Sequence, residues 1–260
     1  VAVGDVHHLS SLRDADDLAL SLHRHHDGVG GLRLKFYRQK GDIPLSDALP
    51  MMENMGLRVI TEHPHLLTID DTMTYLQDFE IESALEFDID AVGHAFEEAF
   101  LQVWRGNAEN DGFNRLVLGA GLDWRQVAML RGYCKFLLQV GVPFSQSYVE
   151  ETFSRYPLLA RLLVELFEAR FDPRRDKPGK TETAKGRERL AAQLAMLCGD
   201  DADALKTLQP LLDARGKGRD VQYEAARAGL KALLDRVASL DEDRILRSFM
   251  GVIDATLRTG

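Results

Sequence analysis

The fold is decided by residues 32–60, LRLKFYRQKGDIPLSDALPMMENMGLRVI. Leu32–Phe36 alternates apolar and basic residues, which predicts a half-buried strand. Pro44–Met55 is predicted to be a helix that ends at Gly56, because glycine is the usual residue just beyond a helix C-terminus. Leu57–Ile60 then begins a second strand. The order strand, helix, strand indicates a fold that mixes α and β structure.

Further elements surround this stretch. Leu18–Leu22 also alternates, and the glycine-rich segment that follows it predicts a hairpin. Thr74–Ile81 is predicted to be another strand. In Ala91–Trp104 the apolar residues share one helical face, and Glu97 and Glu98 lie on the polar face. The pattern therefore predicts a sheet covered on one side by two helices, an α+β sandwich of the ferredoxin-like kind.

The chain from Asp111 onward has helical periodicity only, so an all-α region should follow the sandwich. The predicted helices span 112–120, 123–140, 145–155, 157–170, 187–198, 202–214, 220–238 and 241–258. The predicted N-caps are Asp123, Ser145, Asp220 and Asp241.

Two polar stretches interrupt the pattern. Residues 106–112 are turn and breaker residues, which places a domain boundary between an α+β domain at 1–106 and a helical domain at 107–260. Residues 172–186 carry proline, glycine and charge without an apolar face, and they are predicted to be a mobile surface linker.

The composition is that of a globular protein with a sizeable core: 45% of the 260 residues are hydrophobic and 28% are charged. The net charge of −9 argues against nucleic acid as a partner, because phosphates require clustered Lys and Arg. No apolar run approaches the ~20 residues that span a bilayer. Cys134 and Cys198 form no CxxC pair, so we expect a reduced, cytoplasmic protein with no membrane partner.

The histidines of the first part of the chain raise the question of a metal site. His23, His25 and His26, with His63 and His65, offer imidazole ligands. The alternative is a polar strand edge that runs into a turn. A metal requires several ligands that converge on one point, and nothing in the sequence indicates convergence here, so we predict no metal site.

No catalytic or cofactor-binding residue is predicted. Gly28–Gly31 and Gly119–Gly121 lack the strand–turn–helix context of phosphate-binding loops, and GxSxG and HExxH are absent. No histidine follows Cys134, so a buried helical cysteine is favoured over a nucleophile. The acidic pairs, such as Glu97 with Glu98, are interpreted as solvated faces or helix starts. The sequence indicates a non-catalytic chain.

The ends of the chain suggest an excised segment. It starts at Val1 without a methionine, and the last predicted helix runs to Arg258. We therefore expect it to be part of a longer polypeptide.

Four long stretches together resemble one family, the large multidomain bacterial NAD-dependent glutamate dehydrogenases. These stretches are LRLKFYRQKGDIPLSDALPMMENMGLRVITEHPH (32–65), LDWRQVAMLRGYCKFLLQVGVPFSQSYVEETFSRYP (122–157), LLVELFEARFDP (162–173) and LDEDRILRSFMGVIDATLRT (240–259). The resemblance covers almost the whole chain in the order of the family.

The resemblance implies a non-catalytic structural or regulatory segment, in which an ACT-like module precedes a helical region. NAD and the catalytic residues would belong to another part of the parent enzyme. The parent reaction would convert L-glutamate to 2-oxoglutarate and ammonia. The implied partners are the rest of the parent polypeptide, including its catalytic domain, and further copies in a homo-oligomer.

Residues 36–60 are also similar to ACT modules, which bind amino acids where a loop meets a helix N-terminus. Such a site suits a carboxylate because free N–H groups point outward there. The resemblance points to Gly41, Asp42 and Ser46 as the effector loop, although Leu45 occupies a position where ACT loops have glycine. Ser46 or Asp47 could also cap the helix. Two alternatives to a structural segment thus stay open: an amino-acid effector module and a helical oligomerisation platform.

Overall fold

In a computed structural model of the chain, the described residues are 12, 17–24, 31–39, 41–69, 72–175 and 180–257. The chain forms two compact units, Val1–Trp124 and Arg125–Gly260. The predicted division into domains 1–106 and 107–260 stays a prediction, because compact packing does not establish which part folds independently.

The first unit contains a four-stranded antiparallel sheet in the order β1-β2-β4-β3. Its elements are β1 (Ala19–Arg24), β2 (Leu32–Arg38), α1 (Leu45–Asn54), β3 (Leu57–Ile69), β4 (Thr72–Ser83) and α2 (Ile89–Trp104). This arrangement confirms the predicted α+β class and the β1–β2 hairpin. The glycine-rich segment predicted to connect the two strands of the hairpin lies almost entirely outside the described residues.

The order of elements along the chain is β-β-α-β-β-α. The ferredoxin-like sandwich runs β-α-β-β-α-β. Moving the last strand of that sandwich to the start of the chain produces the order found here. Strand β1 therefore forms a hairpin with β2 and occupies one edge of the sheet. Helix α1 connects β2 to β3, and β4 lies between these two strands in the sheet.

Aromatic side chains fill the core of the first unit. The Phe36 ring lies 5.2 Å from the Phe79 ring and 5.1 Å from the Phe100 ring, centroid to centroid. Phe96 lies 6.1 Å from Phe100 on the same helix. All four rings are almost completely buried. The alternation on β2 and β4 and the helical period of α2 thus direct one aromatic face of each element into a common core.

Two glutamates of α2 differ from the prediction of a solvated face. The Leu22 amide on edge strand β1 donates to Glu97 Oε1 at 3.1 Å. Trp124 Nε1 donates to Glu98 Oε1 at 2.9 Å. Burial raises the pKa of Glu97, and the Leu22 amide and then His94 oppose that increase. Glu97 thus satisfies a backbone donor of an edge strand that has a neighbour on only one side.

The segment after α2 belongs to the first unit. The predicted helix at 112–120 is divided into a 3₁₀ turn (Gly112–Arg115) and the short helix α3 (Leu116–Gly119). The Asp111 carboxylate accepts a hydrogen bond from the Phe113 amide at 3.1 Å and so starts the turn. Phe113 is fully buried.

The second unit is helical throughout the part of it that the structure describes, as predicted. Its helices are α4 (Trp124–Gln139), α5 (Gln146–Arg155), α6 (Pro157–Phe171), α7 (Lys180–Cys198), α8 (Ala202–Ala214), α9 (Arg219–Leu234) and α10 (Leu240–Ala255). Ser145 caps α5, as predicted. The predicted caps Asp220 and Asp241 are wrong: Gly218 and Ser239 occupy those positions, and both aspartates lie in the first helical turn.

Helix α6 is the centre of the second unit and packs against α5, α7, α9 and α10. Buried residues lie on all its sides, which is the pattern of a helix enclosed by others. Among them are two charged residues, Arg161 and Glu165.

The predicted linker at 172–186 differs from the structure at both ends. Pro173–Arg175 forms a 3₁₀ turn, and Arg175 is buried through its ion pairs with Glu165 and Glu168. Helix α7 begins at Lys180 rather than at residue 187. The prediction failed there because it considered only apolar periodicity, whereas charge pairing buries Arg175. Residues 176–179 lie outside the described residues.

The aromatic core of the first unit leads to a test. Phe79→Ala should lower the free energy of unfolding by about 3–5 kcal/mol, because Phe79 is 0% exposed. Met73→Ala on the same strand is the matched control and should cost about 1 kcal/mol or less, because Met73 is 49% exposed. Hydrogen exchange of the paired β2 and β4 amides measures both losses within this unit. Equal losses in the two variants would contradict the assigned core.

Candidate functional site

The predicted effector loop connects β2 to α1. Asp42 and Ser46 are exposed, and Gly41 is half-buried. Gly41 has φ +103°, which side-chain-bearing residues rarely adopt, so glycine is required at this turn. The three predicted residues thus lie on one short surface loop.

A buried glutamine fixes the base of this loop. Gln77 on β4 accepts a hydrogen bond from the Ile43 amide at 2.7 Å and donates to the Ile43 carbonyl at 3.0 Å. It also donates to Glu62 at 2.7 Å. The side chain of Gln77 therefore pairs both backbone groups of Ile43 as a neighbouring strand would, and it holds the loop against the sheet.

The start of α1 differs from the predicted capping. Pro44 is the N-cap, and no side chain bonds to the first-turn amides. Ser46 donates to the neighbouring carboxylate of Asp47 at 3.2 Å instead. Ser46 and Asp47 cannot act as N-caps, because both already lie inside the helix. The first turn consequently has no side-chain cap.

The first unit also has a cavity of about 820 Å³ at one end of the sheet, with Gly56, Leu57, Leu85 and Arg115 among its lining residues. Gly56 has φ +84°, and a Cβ there would lie 2.7 Å from Leu85 Cδ1. None of the predicted loop residues lines this cavity, so the structure does not bring loop and cavity together.

The histidines that suggested a metal do not form a cluster where they are described. His63 and His65 are exposed on one face of β3, which is one edge strand of the sheet. His23 lies on β1, the strand at the opposite edge. His25 and His26 are outside the described residues. In the described ranges, no three His, Cys, Asp or Glu side chains are placed to hold a metal ion.

The two cysteines are buried, and neither forms a disulfide. Burial raises the pKa of the Cys198 thiol, as does Asp201, while Arg236 acts in the opposite direction. A raised pKa keeps a thiol protonated and weakens it as a nucleophile. Cys198 is therefore a packing residue.

A cluster of charged side chains in the second unit surrounds Glu165, which is 0% exposed. Its carboxylate accepts hydrogen bonds from Arg161 at 2.5 Å and from Arg175 at 2.9 Å. Arg215 lies 2.9 Å from Glu165 Oε2. Glu168 is a second carboxylate in the group and pairs with Arg175.

This arrangement keeps Glu165 ionised. Burial would raise the pKa of the Glu165 carboxyl, but Arg175, Arg161 and Arg215 outweigh it and hold the pKa well below the usual range for glutamate. Removing one partner from a buried ion pair costs about 3–5 kcal/mol, because the remaining charge stays buried without compensation.

The sequence contained only a partial signal for this network. Arg161 and Glu165 are four residues apart in an otherwise apolar helix, and that spacing allows a pair on one helical face. Arg175 and Arg215 are 10 and 50 residues from Glu165 along the chain, so no local pattern connects them to it.

An apolar groove of about 530 Å³ lies on the second unit. Its lining residues come from α4, α6 and α10 and the residue after α10: Met129, Gly132, Tyr133, Phe136, Phe167, Gly251, Val252, Ala255 and Thr256. Phe136 is 47% exposed. At the rim, the Tyr133 and Thr256 hydroxyls lie 3.0 Å apart, and the Thr256 hydroxyl also donates to the Val252 carbonyl at 2.7 Å.

Two protein-family models match successive parts of the chain. Residues 17–92 match the family model described as "Glutamate dehydrogenase, ACT3 domain". Residues 108–173 match the one described as "Glutamate dehydrogenase, helical motif 3".

Similar proteins are each named "NAD-specific glutamate dehydrogenase". The protein from Halomonas elongata is 39% identical over 261 residues, and the one from Pseudomonas aeruginosa is 36% identical over 262. The protein from Mycobacterium tuberculosis is 33% identical over 266 residues. Each alignment covers 99% of this chain but 14% of the relative's own length.

The network around Glu165 generates the second test. Glu165→Gln should lower the stability of the helical unit by about 3–5 kcal/mol, because the arginines lose their ionised partner. Hydrogen exchange of α6 and α9 measures this loss. Glu151→Gln is the control on α5, where the side chain is exposed, and should change stability by less than about 0.5 kcal/mol.

The contribution of Glu165 to the stability of the helical unit should depend on pH. The folded-state pKa of Glu165 is depressed, so its contribution is fully present above the unfolded value of ~4.3 and is lost as pH falls toward the folded value. Wild type should thus lose protection of α6 below about pH 4, and Glu165→Gln should lack this component of the loss. Identical pH profiles would contradict the assignment.

Proposed function

Because the chain is a segment of the glutamate dehydrogenase family that carries its ACT3 domain and helical motif 3, we propose that it is a non-catalytic structural segment of an NAD-dependent glutamate dehydrogenase. The parent enzyme would transfer a hydride from the α-carbon of glutamate to NAD. Hydrolysis of the resulting imine would then release 2-oxoglutarate and ammonia.

The observation that carries this proposal is the extent of the alignments. They include 99% of this chain and 14% of each relative, so most of the length of these enzymes has no counterpart here. The proposal assigns NAD and the catalytic residues to that remaining part. The role of this segment is then to pack against the rest of its parent.

The apolar groove on the second unit supports a packing role. Contiguous exposed apolar surface commonly marks an interaction site. We propose that an apolar segment of the parent polypeptide, from outside residues 1–260, occupies the groove and covers Phe136. A segment of the same chain is present at high effective concentration, so a modest apolar contact is sufficient to hold it.

The cellular setting is part of the same proposal. Within the described ranges, no helix has the length and apolar character needed to cross a bilayer. The cysteines at 134 and 198 form no disulfide, which suits a reducing compartment. We propose a cytoplasmic parent enzyme that assembles as a homo-oligomer.

A second proposal concerns the loop with Gly41, Asp42 and Ser46, as an amino-acid effector site. The start of α1 has no side-chain cap, so its first-turn amides could receive a carboxylate. The carboxylate of Asp42 is exposed and could pair with the ammonium group of the same amino acid.

The packing role is tested in the full-length parent. Phe136→Glu should reduce glutamate-dependent NADH formation, because a charge in the groove opposes docking of the apolar segment. Val140→Glu is the matched control directly after the end of α4: Val140 is 60% exposed and does not line the groove. The 260-residue chain alone should be inactive, and its Phe136→Glu variant should keep the wild-type circular dichroism. NADH formation by the isolated chain, or equal loss in both parent variants, would contradict the proposal.

The effector proposal is tested by titrating the chain with the common L-amino acids while tryptophan fluorescence is recorded. Gly41→Val should weaken any saturable response by at least about tenfold, or ~1.4 kcal/mol, because the loop must leave its positive φ. Gly106→Val is the control, since Gly106 also has positive φ (+71°) but lies outside the loop. Absence of a saturable response in the wild type would refute this proposal.

A further inference from the structure

The helical unit has a second cavity, of about 200 Å³, beside the Glu165 network. Its lining residues are Glu168, Asp172, Arg174, Arg175, Thr183, Gly186, Arg215, Gly216 and Gln222. This volume equals that of roughly six waters at about 30 Å³ each. The cavity can therefore hold a small ion with its hydration, and it is too small for a nucleotide.

Guanidinium groups are concentrated in the wall of this cavity. Arg174, Arg175 and Arg215 line it together with the carboxylates Glu168 and Asp172. The attraction between a guanidinium and an anion is screened less in a partly dry site than in water.

A lining arginine also retains an unused donor. The Arg215 guanidinium donates from Nη2 to Glu165, and its Nε is buried without a hydrogen-bond partner in the described part of the chain. The side chain is only 16% exposed. A buried donor without a partner is unfavourable, so an oxygen atom that reached Arg215 Nε would be stabilised there.

Burial lowers the pKa of the Arg215 guanidinium; Glu165 and Glu168 oppose this effect, and the neighbouring charges of Arg175 and Arg161 add to it. An anion beside Arg215 would act in the same direction as the two carboxylates.

The wall of the cavity beside Arg215 is closely fitted. Gly216 has φ +82°, and a Cβ at this position would lie 2.5 Å from Thr183 Cγ2. Only glycine can occupy this position without displacing Thr183. The backbone after α8 thereby brings Arg215 and Thr183 to the same cavity.

We propose that this cavity is a binding site for a small oxyanion, a phosphate or a carboxylate group, which Arg215 and Arg175 hold beside the Glu165 network. Guanidinium groups bind both kinds of oxyanion through paired N–H donors in a fixed plane. The site is independent of the proposed function, since it depends on no feature of the parent enzyme. Its occupant would brace α6 against the turn between α8 and α9.

The test is calorimetric titration of the 260-residue chain with inorganic phosphate and, separately, with acetate. At least one anion should bind saturably, and the tighter one identifies the oxyanion class. Arg215→Lys keeps the charge but removes the planar donor pair, so binding should weaken about tenfold. Arg187→Lys is the control, because Arg187 is 51% exposed, pairs with Asp213 and does not line the cavity.

A second variant keeps the test decisive if Arg215→Lys fails to fold. Arg174 lines the cavity with a side chain that is 80% exposed, so Arg174→Ala should leave circular dichroism unchanged and weaken anion binding about threefold. Failure of both anions to bind the wild type would overturn the proposal. So would equal binding by wild type, Arg215→Lys and Arg174→Ala, which would indicate general attraction to surface charge.

Discussion

The helical unit depends on one buried carboxylate. Glu165 is completely enclosed in the central helix α6, and an isolated charge there would be prohibitively costly. Arg161, from the same helix, cannot compensate this cost alone. Arg175 from the turn after α6 and Arg215 from the end of α8 complete the set. One charge thus determines where two remote segments of chain must be placed.

The α+β unit depends on a different constraint. Polar backbone groups in a loop beside its sheet and on its edge strand need hydrogen-bond partners. Gln77 pairs with both backbone groups of Ile43, and Glu97 accepts the free amide of Leu22 on the edge strand. Neither side chain is available for chemistry, because each completes the hydrogen bonding of a neighbouring segment. Both glutamate and glutamine therefore have structural roles in this unit.

The regular elements could be predicted because each has its own period: two for the hairpin and 3.6 for α2 and α4–α10. Local sequence patterns predicted the wrong N-cap where two residues near the start of a helix can both act as caps. Ser239 precedes Asp241 and caps α10, because its side chain accepts a hydrogen bond from the Glu242 amide while Asp241 is already helical. The pairing of Arg215 with Glu165 could not be predicted, because 50 residues separate them and only the folded arrangement of α6 and α8 brings them together.

The ionisation of Glu165 is the central physical claim, and carbon-13 NMR of its side-chain carboxyl during an acid titration tests it most directly. The arginines should keep this carboxyl ionised well below the ordinary glutamate pKa of ~4.3, until the helical unit itself unfolds. A carboxyl that titrated at or above the ordinary value in the folded unit would show that burial outweighs the arginines. In that case Glu165 would not be the residue that positions Arg175 and Arg215.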